Sequence, residues 1–504
     1  MSNPNPPADR RPARIVGAGL GILALLLYGG WLAANFSPFA GGADSSGYLN
    51  SARLLAAGRL TAEARVPAEL ASAPSLPPQL FQPHGFIPAV EPGRLAPTYA
   101  VGLPLQLALA SLVVGPALAP TVVGVLGALA ALALLYAVAR ELGLDAGFAA
   151  AGAATLAAFP VFLFMSIQPL SDTPATAWCL AAVFAALRAA RGGGGWAVLC
   201  GGAIGMAVLV RATNALVLPA IIALLGFDVR RLSLAVLGGL PAAVWLGCYN
   251  HALYGSALQS GYLNLGEAFD ARYGAPTIVH VAKWIALMMP AALLALPFVA
   301  LAGRARPARI GIALALWFGA FAGFYAFYEF TREVWWGLRF LLPGLPALIL
   351  GALLGLETLA KSPRWRGTLA AGLAVWAVGL GWFWTQHHHL LLTRSYEQAY
   401  ADAADAARRE FPRDALVLAG LHSGSLFHST DLAILRWEFV RPEEWPRLRA
   451  LAAQAGRPVG AVIFEMEKAE ALEQRCTGPW RQLAQVRNIG LWLLDEPREP
   501  APTR

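Results

Sequence analysis

The chain has 504 residues, of which 57% are hydrophobic and 13% charged, with a mean hydropathy of +0.54; soluble domains carry about 25% charged residues. That deficit, with repeated apolar runs of spanning length, excludes a cytosolic enzyme, a disordered chain and a collagen-like repeat, and points to a polytopic membrane protein. The net charge of +8 would suit nucleic acid, so the positions of the charges decide what it means.

Eleven runs are expected to span, near 14–36, 118–139, 146–165, 173–190, 195–210, 213–227, 232–250, 284–302, 310–328, 339–357 and 368–385. Every second connection is short and basic: Arg10, Arg11 and Arg14; Arg140; Arg188 and Arg191; Arg230 and Arg231; Arg304, Arg306 and Arg309; Lys361, Arg364 and Arg366. By the positive-inside rule the amino terminus is cytoplasmic and the carboxyl terminus external. Residues 386–504 hold 15 basic and 16 acidic residues, so the excess charge belongs to the cytoplasmic loops. The basic pI therefore reports orientation and implies no nucleic-acid partner. Counting 98–116 as a span would invert every later loop, so this segment is expected to be an interfacial or re-entrant helix on the external side, starting irregularly at Gly102 and Pro104. Runs 195–210 and 213–227 are short for two crossings and read as tilted half-helices meeting around Arg211.

Two external regions are large. In the first, 37–117, the residues Tyr48, Leu49, Ala52, Leu55 and Ala56 fall at helical spacing. They predict an amphipathic helix lying on the membrane surface with Arg53 and Arg59 toward water or headgroups. The second is the tail, which begins with an amphipathic helix. Strand candidates follow at 415–421, 433–440, 459–465 and 491–496, separated by helical stretches, which reads as a small α/β domain. The fold class is thus an all-α polytopic membrane domain (1–385, including loop 37–117) with an extracytoplasmic α/β domain (386–504). The first span is expected to stay as an anchor. Cys179, Cys200, Cys248 and Cys476 imply no disulfide framework.

The chemistry is expected where polar groups are costly. Asp44 precedes the first-loop helix, and Asp172 in SDTPATAW opens the fourth span; each has the pattern of an N-cap. Both also belong to external loops at one membrane surface, where paired carboxylates could act as base, acceptor orienter or metal ligand. Arg211 interrupts an apolar run, and Arg332 and Arg339 sit in YEFTREVWWGLRF. A guanidinium fork suits phosphate oxygens, while an ion pair with Asp172 is an equal reading for Arg211, and snorkelling from a helix end is one for Arg339. Glu329, Glu333, Trp335 and Trp336 could equally form an interfacial belt with ordinary salt bridges. His387, His388 and His389 are contiguous and point in different directions, which suits an interfacial role better than a metal site. His422 and His428 lie in a turn-rich segment where exposure is expected. The glycines at 192–195 lack a P-loop lysine.

The segments ADSSGYLNSARLLAAGRL, RLAPTYAVGLPLQLAL, SDTPATAW, VRATNALVLP, YNHALYGSALQSGY and WWGLRFLLPGLPAL occur in that order across residues 43–348. With the topology, they resemble the GT-C superfamily of polyprenyl-phosphate-dependent glycosyltransferases, and within it the bacterial relatives of protein O-mannosyltransferases and lipid A aminoarabinose transferases. The resemblance implies an enzyme of the bacterial inner membrane that moves a sugar, hexosyl or pentosyl, from a polyprenyl-phosphate donor at the outer leaflet to a glycan, lipid or protein of the envelope, with inversion. Asp44 would orient or deprotonate the acceptor, with Asp172 as the second catalytic carboxylate. Arg211, Arg339 and Arg332 would hold the departing phosphate, and Tyr99, His84, Asn250, Tyr262 and Glu329 would line the pocket. Many relatives carry paired acids in the first loop, whereas Ser45 and Ser46 follow Asp44 here, so no cofactor is fixed and a divalent cation stays open. A transporter or flippase of lipid-linked saccharides is the main alternative, and a polymer ligase or other assembly protein using the same lipid carriers is a third; apart from Arg211 the spans are nearly free of charge, which disfavours transport.

Overall fold

The computed structural model describes residues 11–71, 76–262, 265–290, 292, 295, 308–360 and 362–495. Its first element is α1 (Arg11–Asn35), and an irregular stretch leads to α2 (Ala43–Ala56). Short strands β1 (Ala62–Glu63), β2 (Phe86–Pro88) and β3 (Arg94–Pro97) form an antiparallel sheet in the order β1-β3-β2. Segment 98–116 contains α3 (Gly102–Val114), only 13 residues long.

Among the described residues, five helices are long and apolar enough to cross a membrane: α4 (Ala119–Glu141), Asp172–Arg191, Val229–Tyr254, Ala308–Tyr325 and Pro363–His387. Two further candidates are bent pairs, Ala146–Ala158 with Pro160–Ser166 at 66°, and Trp335–Leu341 with Leu345–Leu359 at 87°. Each break sits at proline, which cannot donate into the preceding turn. Expected span 195–210 is the shorter apolar helix Gly194–Val210, and 213–227 is a 3-10 turn continuing into Leu218–Leu225. Helix Gly274–Met288 enters the expected span 284–302, most of which lies outside the described residues.

Small residues let these helices touch backbone to backbone. A Cβ on Gly201 would stand 1.7 Å from the Ala235 carbonyl oxygen, and one on Gly238 would stand 2.0 Å from that of Val198. Gly194–Val210 and Val229–Tyr254 therefore pack at glycine contacts, the usual solution where lipid gives no hydrophobic drive between helices.

In the tail, helix Thr393–Glu410 precedes a five-stranded sheet in the order β5-β4-β6-β8-β7, with β4 (Leu416–Ala419), β5 (Ala433–Arg436), β6 (Val459–Phe464), β7 (Trp480–Val486) and β8 (Ile489–Leu494). Strand β4 runs parallel to both β5 and β6, and β8 pairs antiparallel with β6 and β7. Leu54, Ala62, Phe86 and Leu95 of the first loop share an apolar core with Ala403, Val417, Phe427 and Val462 of the tail. The first loop and the tail thus bury one another.

That burial corrects the expectation for α2. Ser45, Ser46, Asn50 and Ser51 are buried along with Tyr48 and Leu49, so the helix is covered on its polar side by protein. Asn50 donates from Nδ2 to the Gly424 carbonyl at 3.0 Å, and Arg53 donates to that of His428 at 2.8 Å. Arg53 therefore stays exposed to water, as expected, while its guanidinium reaches the tail.

Candidate active site

Among the described residues, four aspartates stand at α-helix starts, and they divide into two kinds. Asp145 and Asp228 cap their helices, accepting from the amides of Phe148 at 2.9 Å and Arg231 at 3.0 Å. Asp44 and Asp172 do not: the N-cap positions are Gly42 and Ser171, and neither helix start has a side-chain cap bond. Their carboxylates are turned to arginines instead. The capping reading of both residues falls on this geometry.

Arg339 bridges the two acids. Its Nη2 donates to Asp44 Oδ2, and its Nε lies 3.5 Å from Asp172 Oδ1. Arg211 Nη1 donates to the same Asp172 oxygen. The side chains of Asp172, Arg339 and Arg211 are 0%, 13% and 15% exposed, whereas Asp44 keeps 28%. The resulting quartet is neutral and almost dry, with Asp44 at its open end. Asp172 Oδ2 is buried and has no hydrogen-bond partner among the described residues.

Backbone breaks aim these groups. Arg211 occupies the extended residue between helix Gly194–Val210 and the following 3-10 turn, and Arg339 sits in the 3-10 segment Trp335–Leu341 before the 87° bend. Phe340 lies beneath both cations, its ring centroid 5.2 Å from the Arg211 guanidinium carbon and 5.4 Å from that of Arg339. Trp336 lies 5.8 Å from the latter.

Tyrosines close the Asp44 side. Tyr48 donates to Ser171 Oγ at 2.8 Å, joining α2 to the residue before Asp172. The rings of Tyr48 and Tyr99 lie 5.1 Å apart, and those of Tyr99 and Tyr262 lie 6.1 Å apart. Burial opposes ionisation of Asp44, but Arg339, a hydrogen bond from Tyr99 and the charge of Arg211 outweigh it and hold the carboxyl below its usual range. Burial, with Asp44 beside it, raises the Tyr99 phenol well above its ordinary value. Asp44 is therefore an anion, and Tyr99 is a neutral donor to it.

The cluster collects Asp44, Asp172, Arg211, Arg339, Tyr99 and Tyr262. The other sequence candidates lie outside it. Arg332 stacks over Tyr273 at 4.7 Å, Glu329 opens the short turn Glu329–Thr331, and Asn250 donates to the Ala257 carbonyl at 3.3 Å. The His84 ring lies against Ser423 Oγ at 3.3 Å in the contact between first loop and tail, and burial and Arg436 push it down to about 4. Tyr48, Trp336 and Phe340 are the participants that sequence reasoning missed. Two carboxylates already neutralised by two guanidiniums make a poor ligand set for a divalent cation, and no group of three or more metal-ligating side chains occurs among the described residues.

The family model for dolichyl-phosphate-mannose-protein mannosyltransferase matches residues 105–246, a stretch that includes Asp172 and Arg211. The structure resembles that of ArnT from Cupriavidus metallidurans bound to undecaprenyl phosphate, with a TM-score of 0.58 and 13% identity over 94% of this chain and 97% of that one. The fold is that of the GT-C glycosyltransferases. The archaeal oligosaccharyltransferase AglB from Archaeoglobus fulgidus, in complex with an inhibitory peptide and a dolichol-phosphate, shares this GT-C fold at a TM-score of 0.54 and 12% identity over 95% and 75% of the two chains. The mycobacterial arabinofuranosyltransferase AftD does so at 0.54 and 14% identity, covering 98% of this chain and 40% of AftD. No curated protein sequence matches the chain. Within the GT-C fold as it occurs here, Asp44 and Arg339 come from outside the matched stretch, so the quartet joins three separate parts of the sequence.

Proposed function

We propose that the chain transfers a hexosyl or pentosyl group from a polyprenyl-phosphate donor to a glycan, lipid or protein of the bacterial envelope, with inversion at the anomeric carbon. In this reading eleven spans place the amino terminus in the cytoplasm, and residues 386–504 form an extracytoplasmic domain over the membrane domain of residues 1–385. The observation that carries it is the Asp44–Arg339–Asp172–Arg211 quartet, in which neither acid caps its helix.

Asp44 takes the acceptor hydroxyl proton while that oxygen attacks the anomeric carbon. The bond from that carbon to the donor phosphate oxygen breaks, and the electron pair leaves with the phosphate. The diester carries one negative charge and the departing monoester two, so charge grows on the phosphate oxygens as the reaction proceeds. Arg211 and Arg339, preset in a site of low dielectric, stabilise that growth. The donor phosphate competes with Asp44 for the Arg339 fork, and its arrival frees the carboxylate to face the acceptor. Asp172 stays behind both guanidiniums and fixes their direction.

The test uses purified protein in proteoliposomes with polyprenyl-phosphate hexose or pentose as donor and an envelope extract as acceptor, and measures release of polyprenyl phosphate. Asp44→Asn is expected to abolish release while the protein stays monodisperse, and Arg211→Ala to weaken donor binding most. Full activity in Asp44→Asn would sink the proposal. Mass spectrometry of envelope glycans and glycoproteins from cells with and without the gene then identifies sugar and acceptor.

A further inference from the structure

The turn that delivers Asp44 is held from the tail. A Cβ built on Gly41 would fall 1.5 Å from Glu397 Oε2, so the Glu397 carboxyl rests directly on the Gly41 α-carbon. This is the end of the stretch between α1 and α2. The carbonyls of Gly41 and Gly42 accept from the Ser46 amide at 3.2 and 3.3 Å, and Gly42 also accepts from Ser46 Oγ at 2.7 Å. Asp44 lies inside that loop of bonds. One turn before Glu397, Arg394 donates to the Ala34 carbonyl at 3.2 Å, at the other end of the stretch. Helix Thr393–Glu410 therefore grips both ends of the connection that leads into α2.

We propose that Glu397 is a positioning residue for Asp44, acting through the Gly41–Gly42 turn, so that the tail sets the geometry of the reaction site. The proposal rests on the reading of Asp44 as the acceptor's base. Glu397 Oε2 is shut off from solvent and has no hydrogen-bond partner among the described residues. A carboxyl in that position is tolerated when neutral and is unfavourable when charged. Burial pushes it up to about 7. Arg394, one turn before, is committed to the Ala34 carbonyl, while Tyr400, one turn on, is itself pushed up by burial. The neutral form packs on Gly41, and the anion, seeking water, lifts off it.

Turnover is measured in proteoliposomes across neutral pH for wild type, Glu397→Gln, Glu397→Ala, Gly41→Ala and Asp44→Asn. The wild-type kcat is expected to fall as pH rises through about 7, and Glu397→Gln, which cannot ionise, to lose that limb. Glu397→Ala and Gly41→Ala are expected to lose on the order of tenfold to a hundredfold in kcat, the scale set by small misplacements of a catalytic group, with donor KM unchanged. If the alanine variants fail to fold, the Glu397→Gln pH profile alone decides. A Glu397→Gln enzyme that keeps the alkaline fall, or a folded Glu397→Ala enzyme with wild-type kcat, overturns the proposal. Activity in Asp44→Asn would instead remove the base reading beneath it, whatever Glu397 does.

Discussion

Replacing Asp172 by asparagine removes the one carboxylate that both guanidiniums share. Asp172 is 0% exposed and its two partners are 13% and 15% exposed, so water cannot take over its role. Removing one member of such a buried ionic group leaves an uncompensated charge and costs about 3–5 kcal/mol. Asp44→Asn removes a carboxylate that is 28% exposed and bound to Arg339 alone among the ion pairs of the quartet. A single hydrogen bond to a charged group is worth about 1.5–3 kcal/mol, and partial exposure places this one at the low end. The two variants are therefore expected to separate: Asp172→Asn loses about two to three times as much stability, while Asp44→Asn loses about 1.5 kcal/mol and is inactive. Thermal unfolding of the detergent-purified proteins reads the order directly. Adding Arg211→Gln to Asp172→Asn takes away the stranded guanidinium and is expected to recover part of the loss, a coupling that a double-mutant cycle measures. If the double variant is no more stable than Asp172→Asn, or if Asp44→Asn melts lower than Asp172→Asn, the quartet is not the coupled unit described above.

Arg339→Lys keeps the charge but loses the fork that reaches Asp44 and Asp172 together, and donor turnover is expected to fall on the order of a hundredfold in the release assay. Tyr99→Phe removes a hydrogen bond that helps hold the Asp44 carboxyl down. Activity that needs the anion is present above the Asp44 pKa and lost as pH falls through it, so the acid limb of the pH profile is expected to move to higher pH. Gly102→Ala puts a Cβ 2.4 Å from the Leu209 backbone; the cost is expected to be about 1–3 kcal/mol by the scale for overpacking, read as a lower melting temperature with donor affinity retained.

Much of the quartet was legible because charge is conspicuous in apolar sequence. Arg211 stands out within GMAVLVRATNALVLP, and its ion-pair reading with Asp172 matches the contact in the structure. The N-cap readings of Asp44 and Asp172 failed for a specific reason: Asp172 stands one residue and Asp44 two residues past the N-cap position, and a shift of one or two positions cannot be read from a pattern that tolerates it. Tyr48 was hidden because an aromatic at helical spacing looks like packing; only the fold brings its hydroxyl to Ser171. The polar residues of α2 looked solvated because the sequence does not reveal that the tail lies over them. His422 was expected to be exposed and is fully buried, its ring 5.2 Å from that of Tyr400. The strand candidates at 415–421, 433–440, 459–465 and 491–496 fall on β4, β5, β6 and β8, whose continuous apolar runs suit strands buried on both faces. Strand β7 has the mixed sequence WRQLAQV at the sheet edge and gave no such signal.

Two cations and two anions packed within a few ångströms cancel one another at any distance beyond their own spacing. A free phosphate in the surrounding water feels almost no pull toward such a site, because there is no net charge to steer it. A phosphate anchored to a lipid needs no steering, since the bilayer confines it to a plane and raises its local concentration. In the proposed reading, electrical balance at rest thus acts as a filter: soluble phosphate gains nothing by approaching, and a donor delivered through the membrane has only to displace the partly exposed Asp44 carboxylate.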